Sequence, residues 1–553
     1  MGRRRLVVVG GEIAGIMAAA KGAEENPDLD IKVLLPGKFF MPSGYQLACL
    51  IRDVDVDMHS YMSEIREGLN QQYNVEILPC RKTVDIVSLE KKVVFRNLLE
   101  GSQGSLEFDK LIIATGTRTI IPSVDGIDAE NVFFLDSIED VHAIREGIDA
   151  GLYCKAVVIG ATPLGIYVAE SLWRRGLEVI LVEGGQQILD GFDAEIAQFV
   201  IKQMEQKGVK VLLGEKILSL IGNAKGQVVE VHTPNHILTT DMVIWLKDIK
   251  PDAEIAKKAG IAIGKTGAIE VDEYLETNIP GIYAIGNCAQ YINQISGKPT
   301  WVYNMFVDRR AVRVAGYNAA GDNEFVLSKG ICGTVSIRAF GLNISKTGLS
   351  AAEAAQEGYQ VEMATVSVND DQYGCEKGCR DNIAKLIINK TDRKILGIQS
   401  IGGSLSEKIV DVVTTVMDMG GTLEDLNQLD LVGHLPHTRD MHPIHLAADV
   451  MFEKLTGKVR GVSAYELYQL LYDPQVVVLD VRTKSEALMG MLPGTVNIPL
   501  SELEEMKERL TGHKAIVLVS NRGRRAYAGF IKLKELGFDN ISILEGGLSA
   551  YPY

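Results

Sequence analysis

Cysteine is scarce in this chain of 553 residues. The seven cysteines are Cys49, Cys80, Cys154, Cys288, Cys332, Cys375 and Cys379. Few and scattered thiols argue against a disulfide framework and are typical of proteins kept in a reducing compartment. We therefore expect a cytoplasmic protein.

The chain also has no long hydrophobic run and no excess of positive charge. No apolar stretch reaches the roughly 18 residues that a membrane-spanning helix needs, so no transmembrane segment is expected. Lysine and arginine number 57 against 72 acidic residues, which gives a net charge of −15. Such a surface repels nucleic acid, and no basic aromatic patch offsets that repulsion. At about 150 residues per domain, the length suggests roughly four domains.

Two segments follow the order strand, glycine turn, helix, strand that makes a βαβ unit. In the first, Gly10, Gly11 and Gly15 lie between an apolar strand and a helix. Glycines there let a pyrophosphate approach the helix N-terminus, where unpaired N–H groups favour anions. Glu12 interrupts the usual glycine pattern, and Leu35 stands where an acidic ribose ligand is expected. A turn without a ligand therefore remains the alternative.

The second unit carries Gly160 and Gly165, and its second strand ends at Glu183. A carboxylate at that strand end accepts hydrogen bonds from ribose hydroxyls and repels a 2′-phosphate. The residues therefore favour NADH over NADPH, with a purely structural carboxylate as the alternative.

The second half of the chain has a different pattern. Strand-like segments and then a helix-like run predict an α+β domain; they span residues 333–342, 359–368, 383–390, 395–403 and 406–421. Residues 451–462 are expected to form a linker. Beyond it, strands alternate with helix-like segments, one of them at 498–510, which predicts a small α/β domain.

These motifs together carry a family resemblance. The two glycine turns, with Ala114, Thr115 and Gly116 and the segment Gly281–Gly286, resemble the pyridine nucleotide–disulfide oxidoreductases. The tail resembles rhodanese modules in the segments Leu479–Arg482, Pro493–Pro499, Ser520–Arg525 and Glu545–Gly547. In this order the motifs resemble the coenzyme A-disulfide reductase–rhodanese fusions, which include NADH-dependent persulfide reductases.

The resemblance implies a fold, two cofactors and a homodimer. The fold class is α/β, with two Rossmann-like nucleotide-binding domains, an α+β dimerisation domain and a rhodanese-like α/β domain. The expected bounds are 1–117 and 280–324 for FAD binding, 118–279 for NAD binding, 325–450 for dimerisation and 460–553 for the rhodanese-like domain. The expected FAD ligands are Gly10, Gly11, Gly15, Ala114, Thr115, Gly116, Gly286 and Asn287. The expected NADH ligands are Gly160, Gly165 and Glu183.

Both cysteines that the family uses are missing from this chain. Ser43 stands where the flavoprotein part carries its redox cysteine, and Ser520 where the rhodanese part carries its sulfur acceptor. A thiolate is a strong nucleophile near neutral pH, whereas a serine hydroxyl is not. Cys49 lies six residues beyond Ser43, about 9 Å of helical rise, which is too far for a simple replacement. Whether the serines are native or introduced is left open by the sequence.

Three further positions depart from the family pattern. Asn287 replaces the aspartate that hydrogen-bonds the flavin ribityl chain, and its carbonyl accepts without a charge. Pro36 follows the first unit's second strand, where no acid is found. The arginines that bind coenzyme A are reduced to Lys21. These departures weaken the expected FAD contacts and leave coenzyme A binding poorly supported.

The rhodanese loop keeps its glycine and ends, as in the family, at Arg525. Backbone N–H groups of such a loop form an anion-binding nest at a helix N-terminus. Serine forms no persulfide, so rhodanese activity is not expected, and docking or anion sensing is the alternative.

Four histidines lie close together at His434, His437, His442 and His445. By the resemblance, His437 reaches the partner subunit's active site, where an imidazole can act as acid and base. A metal site with Cys375 and Cys379 is an alternative that the spacing fits poorly, so no metal is expected. Interface histidines are the third reading.

The sequence thus predicts an FAD-dependent NADH oxidoreductase that lacks the usual cysteine. The expected acceptor is a persulfide, a quinone, dioxygen or a protein. The alternative is a catalytically degenerate scaffold or regulatory subunit with an anion-binding rhodanese-like module.

Overall fold

The structure is a computed structural model that describes residues 3–11, 13–38, 44–53, 58–73, 75–303, 309–327, 329–369, 381–432 and 441–553. They form two compact units. One comprises Met1–Gln186 and Gly208–Ile331, and the other comprises Gln187–Lys207 and Cys332–Tyr553. Across these ranges, every helix is too short or too polar to cross a membrane.

The first unit begins with a parallel five-stranded sheet. The elements up to the first crossing are β1 (Arg5–Val9), α1 (Ile13–Glu25), β2 (Asp30–Leu34), α2 (Gly44–Arg52), α3 (Met58–Tyr73), β3 (Val75–Leu78), β4 (Arg81–Val87), β5 (Lys92–Asn97), β6 (Gln103–Glu107), β7 (Lys110–Ile113) and β8 (Thr117–Thr119). Apolar strands such as β1 are buried on both faces, as parallel sheets require. β4, β5 and β6 form a separate antiparallel sheet.

A second parallel sheet follows within the same unit. Its elements and their neighbours are β9 (Val132–Phe133), α4 (Ile138–Asp149), β10 (Lys155–Ile159), α5 (Pro163–Arg174), β11 (Glu178–Glu183), α6 (Ala194–Gln206), β12 (Lys210–Leu213), β13 (Ser219–Gly222), β14 (Val228–His232), β15 (Ile237–Thr239), β16 (Met242–Trp245) and β17 (Ile249–Pro251). The strand order is β12-β11-β10-β16-β9. Helix α6, although it follows β11 in the chain, belongs to the second unit.

The chain then returns to the first sheet. The returning elements are α7 (Glu254–Lys258), β18 (Ile269–Glu270), β19 (Ile282–Ala284), β20 (Ala289–Ile292), β21 (Pro299–Thr300) and α8 (Arg309–Ala320). β19 completes the order β19-β7-β1-β2-β3. β8 and β17 pair antiparallel where the chain crosses between the two parallel sheets. Both sheets have the doubly wound pattern that binds dinucleotides at the carboxyl ends of strands.

The second unit contains an antiparallel sheet of order β22-β23-β26-β25-β24. Its elements are β22 (Val335–Ala339), β23 (Leu342–Gly348), α9 (Ala351–Gln356), β24 (Val361–Asn369), β25 (Asp381–Asn389), β26 (Ile395–Gly402), α10 (Leu405–Asp418), α11 (Leu423–Asn427) and α12 (Pro443–Leu455). Helix α12 buries Ala447, Ala448 and Met451 and continues to Leu455. The linker expected at 451–462 is therefore wrong in its first residues, because their apolar face completes this helix.

A small parallel sheet of order β27-β31-β30-β28-β29 ends the chain. Its elements are β27 (Gly461–Val462), α13 (Ala464–Leu470), β28 (Val476–Asp480), α14 (Lys484–Leu488), β29 (Val496–Asn497), β30 (Ala515–Val519), α15 (Arg524–Glu535) and β31 (Ile541–Leu544). The segment expected as a helix at 498–510 forms two 3-10 turns, Leu500–Glu502 and Lys507–Leu510. Leu503 and Leu510 anchor it in the core. The α/β and α+β architecture expected from the sequence is confirmed.

Candidate functional site

The first glycine turn brings two predicted segments together. Gly10 follows β1 with φ +123°, a region open mainly to glycine. A Cβ on Gly10 would overlap the carbonyl oxygen of Ala114. A Cβ on Gly15 would lie 3.1 Å from both Ala114 Cβ and Val8 Cγ1. The chain between β7 and β8 is therefore packed directly against the turn between β1 and α1, a contact that only glycines allow.

The return segment meets the same helix end. Gly286 has φ +74°, and a Cβ there would lie 3.3 Å from Ala14 Cβ on the first turn of α1. The Gly286 N–H donates to Tyr291 Oη over 3.0 Å. The Asn287 carbonyl oxygen accepts from Trp301 Nε1 over 2.8 Å. The three predicted segments, Gly10–Gly15, Ala114–Gly116 and Gly286–Asn287, thus converge at the N-terminus of α1.

This convergence fits the phosphate end of a dinucleotide. The first N–H groups of a 13-residue helix such as α1 have no partner within the helix and favour an anion. At the end of β2, however, the chain reads Leu34, Leu35 and Pro36, so this strand end offers no carboxylate to a ribose.

Thr115 and Gly116 connect this turn to the chain beyond β17. Thr115 Oγ1 donates to the Asp252 carbonyl oxygen over 2.6 Å, and the Gly116 carbonyl accepts the Asp252 N–H over 2.9 Å. Burial raises the pKa of the Asp252 carboxyl. These two residues therefore have a structural role at the crossing between the two parallel sheets.

The second glycine turn is built in the same way. A Cβ on Gly160 would lie 3.1 Å from the backbone of Leu246, and a Cβ on Gly165 would overlap the Gly160 carbonyl oxygen. Thr162 caps α5, with its hydroxyl accepting the Gly165 N–H over 3.3 Å, and Pro163 opens the helix. Proline and a threonine cap are preferred at these positions. The turn presents the N-terminus of α5 to a second dinucleotide.

Glu183 is tied to that turn through one carboxylate oxygen and to the chain just after β11 through the other. Oε2 accepts the Ala161 N–H over 2.9 Å, and Oε1 accepts the Gly185 N–H over 2.8 Å. Lys247 Nζ lies 2.7 Å from Oε1. Burial raises the pKa of Glu183, but the Lys247 ammonium and the two N–H groups outweigh burial, and the pKa is lowered. Glu183 is thus held ionised, and its partner Lys247 is a residue that sequence reasoning missed.

The start of α2 lies against the second glycine turn. A Cβ on Gly44, the first residue of α2, would lie 2.8 Å from Leu164 Cδ2. Tyr45, the next residue, packs edge to face on Tyr167 with ring centroids 4.2 Å apart. Ser43 itself lies outside the described residues. The first described residue of α2, Gly44, lies against Leu164 on the first turn of α5.

Cys49 is not activated to replace that cysteine. It lies on α2, half-buried, and burial raises the pKa of its thiol more than Tyr45 and Arg52 lower it. A raised pKa keeps the sulfur protonated near neutrality, which makes it a poor nucleophile. Three other described cysteines, Cys80, Cys288 and Cys332, are buried.

The rhodanese-like loop places Ser520 at the end of β30. Ser520 is 1% exposed, and its Oγ accepts the Ala526 N–H over 3.2 Å. Gly523, with φ +83°, turns the loop into α15. A Cβ on Gly547 would overlap the Ser520 and Asn521 carbonyl oxygens, so the chain after β31 closes over the loop. The expected loop is therefore formed, with a buried hydroxyl in place of a thiol.

Two arginines of this loop are paired with carboxylates. Arg525 donates from Nη1 and Nη2 to the two Glu486 oxygens over 2.6 and 2.7 Å. This hydrogen-bonded pair lowers the pKa of Glu486 to about 2. Arg522 Nη2 lies 2.8 Å from Asp381 Oδ1 at the start of β25. The positive charge of the nest is thus largely compensated within the second unit.

The histidine cluster is described only in part. His434 and His437 lie outside the described residues, as do Cys375 and Cys379. His442 Nδ1 accepts the Ile444 N–H at the start of α12, and His445 Nε2 lies 2.8 Å from the Leu429 carbonyl oxygen. Within the described ranges, no three histidine, cysteine or carboxylate side chains are grouped as a metal site requires.

Three family models match successive parts of the chain. The model for pyridine nucleotide-disulphide oxidoreductases matches residues 4–305. The dimerisation domain of that family matches residues 335–442, and the rhodanese-like domain matches residues 463–552.

Known proteins of similar sequence and structure agree with these matches. An NADH oxidase of Methanocaldococcus jannaschii is 30% identical over 82% of this chain and 100% of its own length. A CoA-dependent NAD(P)H sulfur oxidoreductase of Pyrococcus furiosus is 29% identical over 82% of this chain and 100% of its own. The NAD-dependent persulfide reductase of A. fulgidus superposes with a TM-score of 0.91 at 29% identity, covering 99% of this chain and 100% of that one. The Bacillus anthracis CoADR-RHD structure gives 0.90 at 27%, covering 100% and 98%.

Proposed function

The chain belongs to the pyridine nucleotide–disulphide oxidoreductase family, and we propose that it carries electrons from NADH through FAD to an acceptor without a cysteine at position 43. It is an FAD- and NADH-dependent oxidoreductase fused to a rhodanese-like domain. The observation that supports the proposal is the position of Gly44 against Leu164, because it brings the start of α2 to the second glycine turn.

The residues of the first unit would hold both cofactors. FAD would lie on the turn of Gly10, Gly11 and Gly15, with Ala114, Thr115, Gly116, Gly286 and Asn287 around it. NADH would lie on the turn of Gly160 and Gly165, with Glu183 at its ribose. Bound FAD supplies a group that takes a hydride from NADH and passes electrons onward.

The electron acceptor is proposed to react without a covalent step on the protein. A serine at position 43 forms no mixed disulfide, and Cys49 is held protonated by burial. Relatives are named NADH oxidase and NAD(P)H sulfur oxidoreductase, so dioxygen and a persulfide join a quinone and a protein as candidates. His437 of the partner subunit would protonate the acceptor. Its loss should slow acceptor reduction about 10²–10⁴-fold, as general acids typically do, and leave reduction by NADH unchanged.

The rhodanese-like domain favours a second, non-catalytic role. Ser520 is buried, and Arg522 and Arg525 are both paired with carboxylates. Such a loop would serve as a docking element of a scaffold, or would sense anions through its backbone N–H groups, rather than carry sulfur. This reading predicts anion binding without sulfur transfer.

The organisation around these sites is also part of the proposal. We place FAD binding at 1–117 and 280–324, NAD binding at 118–279, dimerisation at 325–450 and the rhodanese-like domain at 460–553. The match to a dimerisation domain supports a homodimer. The few scattered cysteines support a cytoplasmic location.

The visible absorption spectrum of the purified protein tests the proposal. Flavin bands that survive gel filtration and bleach when NADH is added without oxygen are expected. A colourless protein that ignores added FAD would instead favour the scaffold.

A further inference from the structure

Lys247 lies across the path that a dinucleotide takes on the second glycine turn. Strand β10 lies between β11 and β16 in the sheet, and the Gly160 turn closes its carboxyl end. Glu183 ends β11 on one side, and Lys247 follows β16 on the other. The ion pair of 2.7 Å between Lys247 Nζ and Glu183 Oε1 therefore passes over the end of β10. In a doubly wound sheet, the nucleotide binds at this position.

The hydrogen bonds of Glu183 leave little room for a ribose while Lys247 is paired. A carboxylate oxygen accepts about two hydrogen bonds. Oε1 already accepts the Gly185 N–H and the Lys247 ammonium, whereas Oε2 accepts only the Ala161 N–H. A ribose whose 2′- and 3′-hydroxyls both donate to Glu183 must therefore displace Lys247 from Oε1. The ammonium is then freed beside the 2′-position.

The Lys247 ammonium lies beside a residue without a side chain and is partly exposed to solvent. Gly184 has no side chain, and a Cβ there would lie 3.0 Å from Lys247 Nζ and 3.7 Å from Lys216 Cγ. Lys247 is 36% exposed at its side chain, against 13% for Glu183, so the lysine can turn toward a ligand while the carboxylate stays in place. A carboxylate alone repels a 2′-phosphate, and an ammonium 2.7 Å away offsets that repulsion.

We propose that Lys247 forms a 2′-phosphate subsite beside Glu183, so that the second glycine turn accepts NADPH as well as NADH. Lys247 then sets the ratio of the affinities for the two nucleotides. The inference rests on the proposed function, because it assumes that a dinucleotide binds at Gly160. It qualifies the preference for NADH that Glu183 alone would give.

The test compares two small probes by isothermal titration calorimetry on the full chain. The probes are 5′-ADP and 2′,5′-ADP, which differ in where their second phosphate sits. Lys247→Met should weaken 2′,5′-ADP binding at least tenfold and change 5′-ADP binding less than threefold. Glu183→Gln should do the reverse, weakening 5′-ADP and strengthening 2′,5′-ADP. Lys247→Arg keeps the charge and should keep both affinities within threefold.

Lys250→Met is the matched control, since Lys250 lies three residues on, is exposed and does not contact Glu183. It should change neither affinity more than twofold. If Lys247→Met leaves the ratio of the 2′,5′-ADP and 5′-ADP affinities unchanged, or weakens both affinities equally, the proposed subsite is wrong although the dinucleotide site remains. If neither probe nor NADH binds the unaltered protein, the proposed function fails and the inference fails with it.

Discussion

Lys385 Nζ lies 2.9 Å from Asp193 Oδ2 in the interior of the second unit, with side-chain exposures of 4% and 7%. Glu195 Oε2 lies 3.2 Å from the same nitrogen. Burial lowers the pKa of Lys385, but its two carboxylate neighbours outweigh burial and raise it, so the lysine is charged. The ion pairs of Lys385 with Asp193 and Glu195 join the start of α6 to the antiparallel sheet. This explains why the helix belongs to the second unit.

Removing this lysine should destabilise the second unit. Lys385→Met leaves the buried Asp193 carboxylate and the partly buried Glu195 carboxylate without a cation, and breaking a buried pair typically costs about 3–5 kcal/mol. Differential scanning fluorimetry should show a melting temperature lower by several degrees. Lys390→Met is the control, because its ion pair with Glu362 is half-exposed at the lysine and such pairs contribute about 0–1 kcal/mol. Equal shifts for both variants would contradict the structural role of Lys385.

Gly10→Ala should abolish FAD retention. The new Cβ would overlap the Ala114 carbonyl oxygen, and φ +123° is strained for any other residue. The ratio of flavin absorbance to protein absorbance after gel filtration measures the effect. Gly68→Ala makes the same chemical change in open space on α3 and should retain the flavin. Full retention in Gly10→Ala would show that the first turn does not hold the cofactor.

The parts of the fold that could be predicted from the sequence are those specified by local residue patterns. The glycine turns are local patterns, so Gly10, Gly160 and the strand ending at Glu183 could be predicted. Strand β23 was not predicted, because its polar residues Asn343, Ser345 and Lys346 do not give the apolar pattern of a strand. Pairing with β22 and β26 stabilises it instead. The position of this segment inside the sheet outweighed the weak strand propensity of its polar residues.

The missed partners share one cause. Lys247 meets Glu183 only because β16 lies next to β10, and Lys385 meets Asp193 only because α6 packs on the antiparallel sheet. Neither pairing leaves a periodic signal in the chain. The Cys49 thiol, in turn, could be placed on a helix from sequence, but its raised pKa depends on burial that only the packed structure supplies.

Thiosulfate:cyanide sulfur transfer should be absent from the unaltered protein and should appear in Ser520→Cys. The loop, Gly523 and Arg525 are in place, and a thiol at the buried Oγ position would meet the Ala526 N–H. Thiocyanate formation is the readout. Ser542→Cys adds a thiol to β31 of the same domain and should remain inactive. Activity in the unaltered protein would mean that another residue carries the sulfur.

The Glu486–Arg525 pair should give the loop an acid-sensitive stability. The pKa of Glu486 is lowered to about 2, whereas the pKa of an unfolded glutamate is about 4.3. The stabilisation is therefore fully present above that higher value and is lost as the pH falls toward 2. Because Glu486 is 33% exposed, the contribution is of the order of 0.5–1 kcal/mol.

Glu486→Gln should accordingly melt below the unaltered protein at pH 7, with the difference shrinking at pH 3.5. Thermal melting at the two pH values is the measurement. The exposed Glu508→Gln serves as control and should show no such pH dependence. If the difference in melting temperature between Glu486→Gln and the unaltered protein grows as the pH falls, the pKa of Glu486 is not lowered by its pair with Arg525.

The central claim is that electrons leave this protein without a cysteine at position 43. Steady-state NADH oxidation, measured on one preparation with a quinone and with coenzyme A disulfide as acceptors, tests it most directly. The account predicts turnover with the quinone and no detectable reduction of coenzyme A disulfide. Robust reduction of coenzyme A disulfide would contradict it and implicate another thiol, with Cys49→Ser the first variant to make.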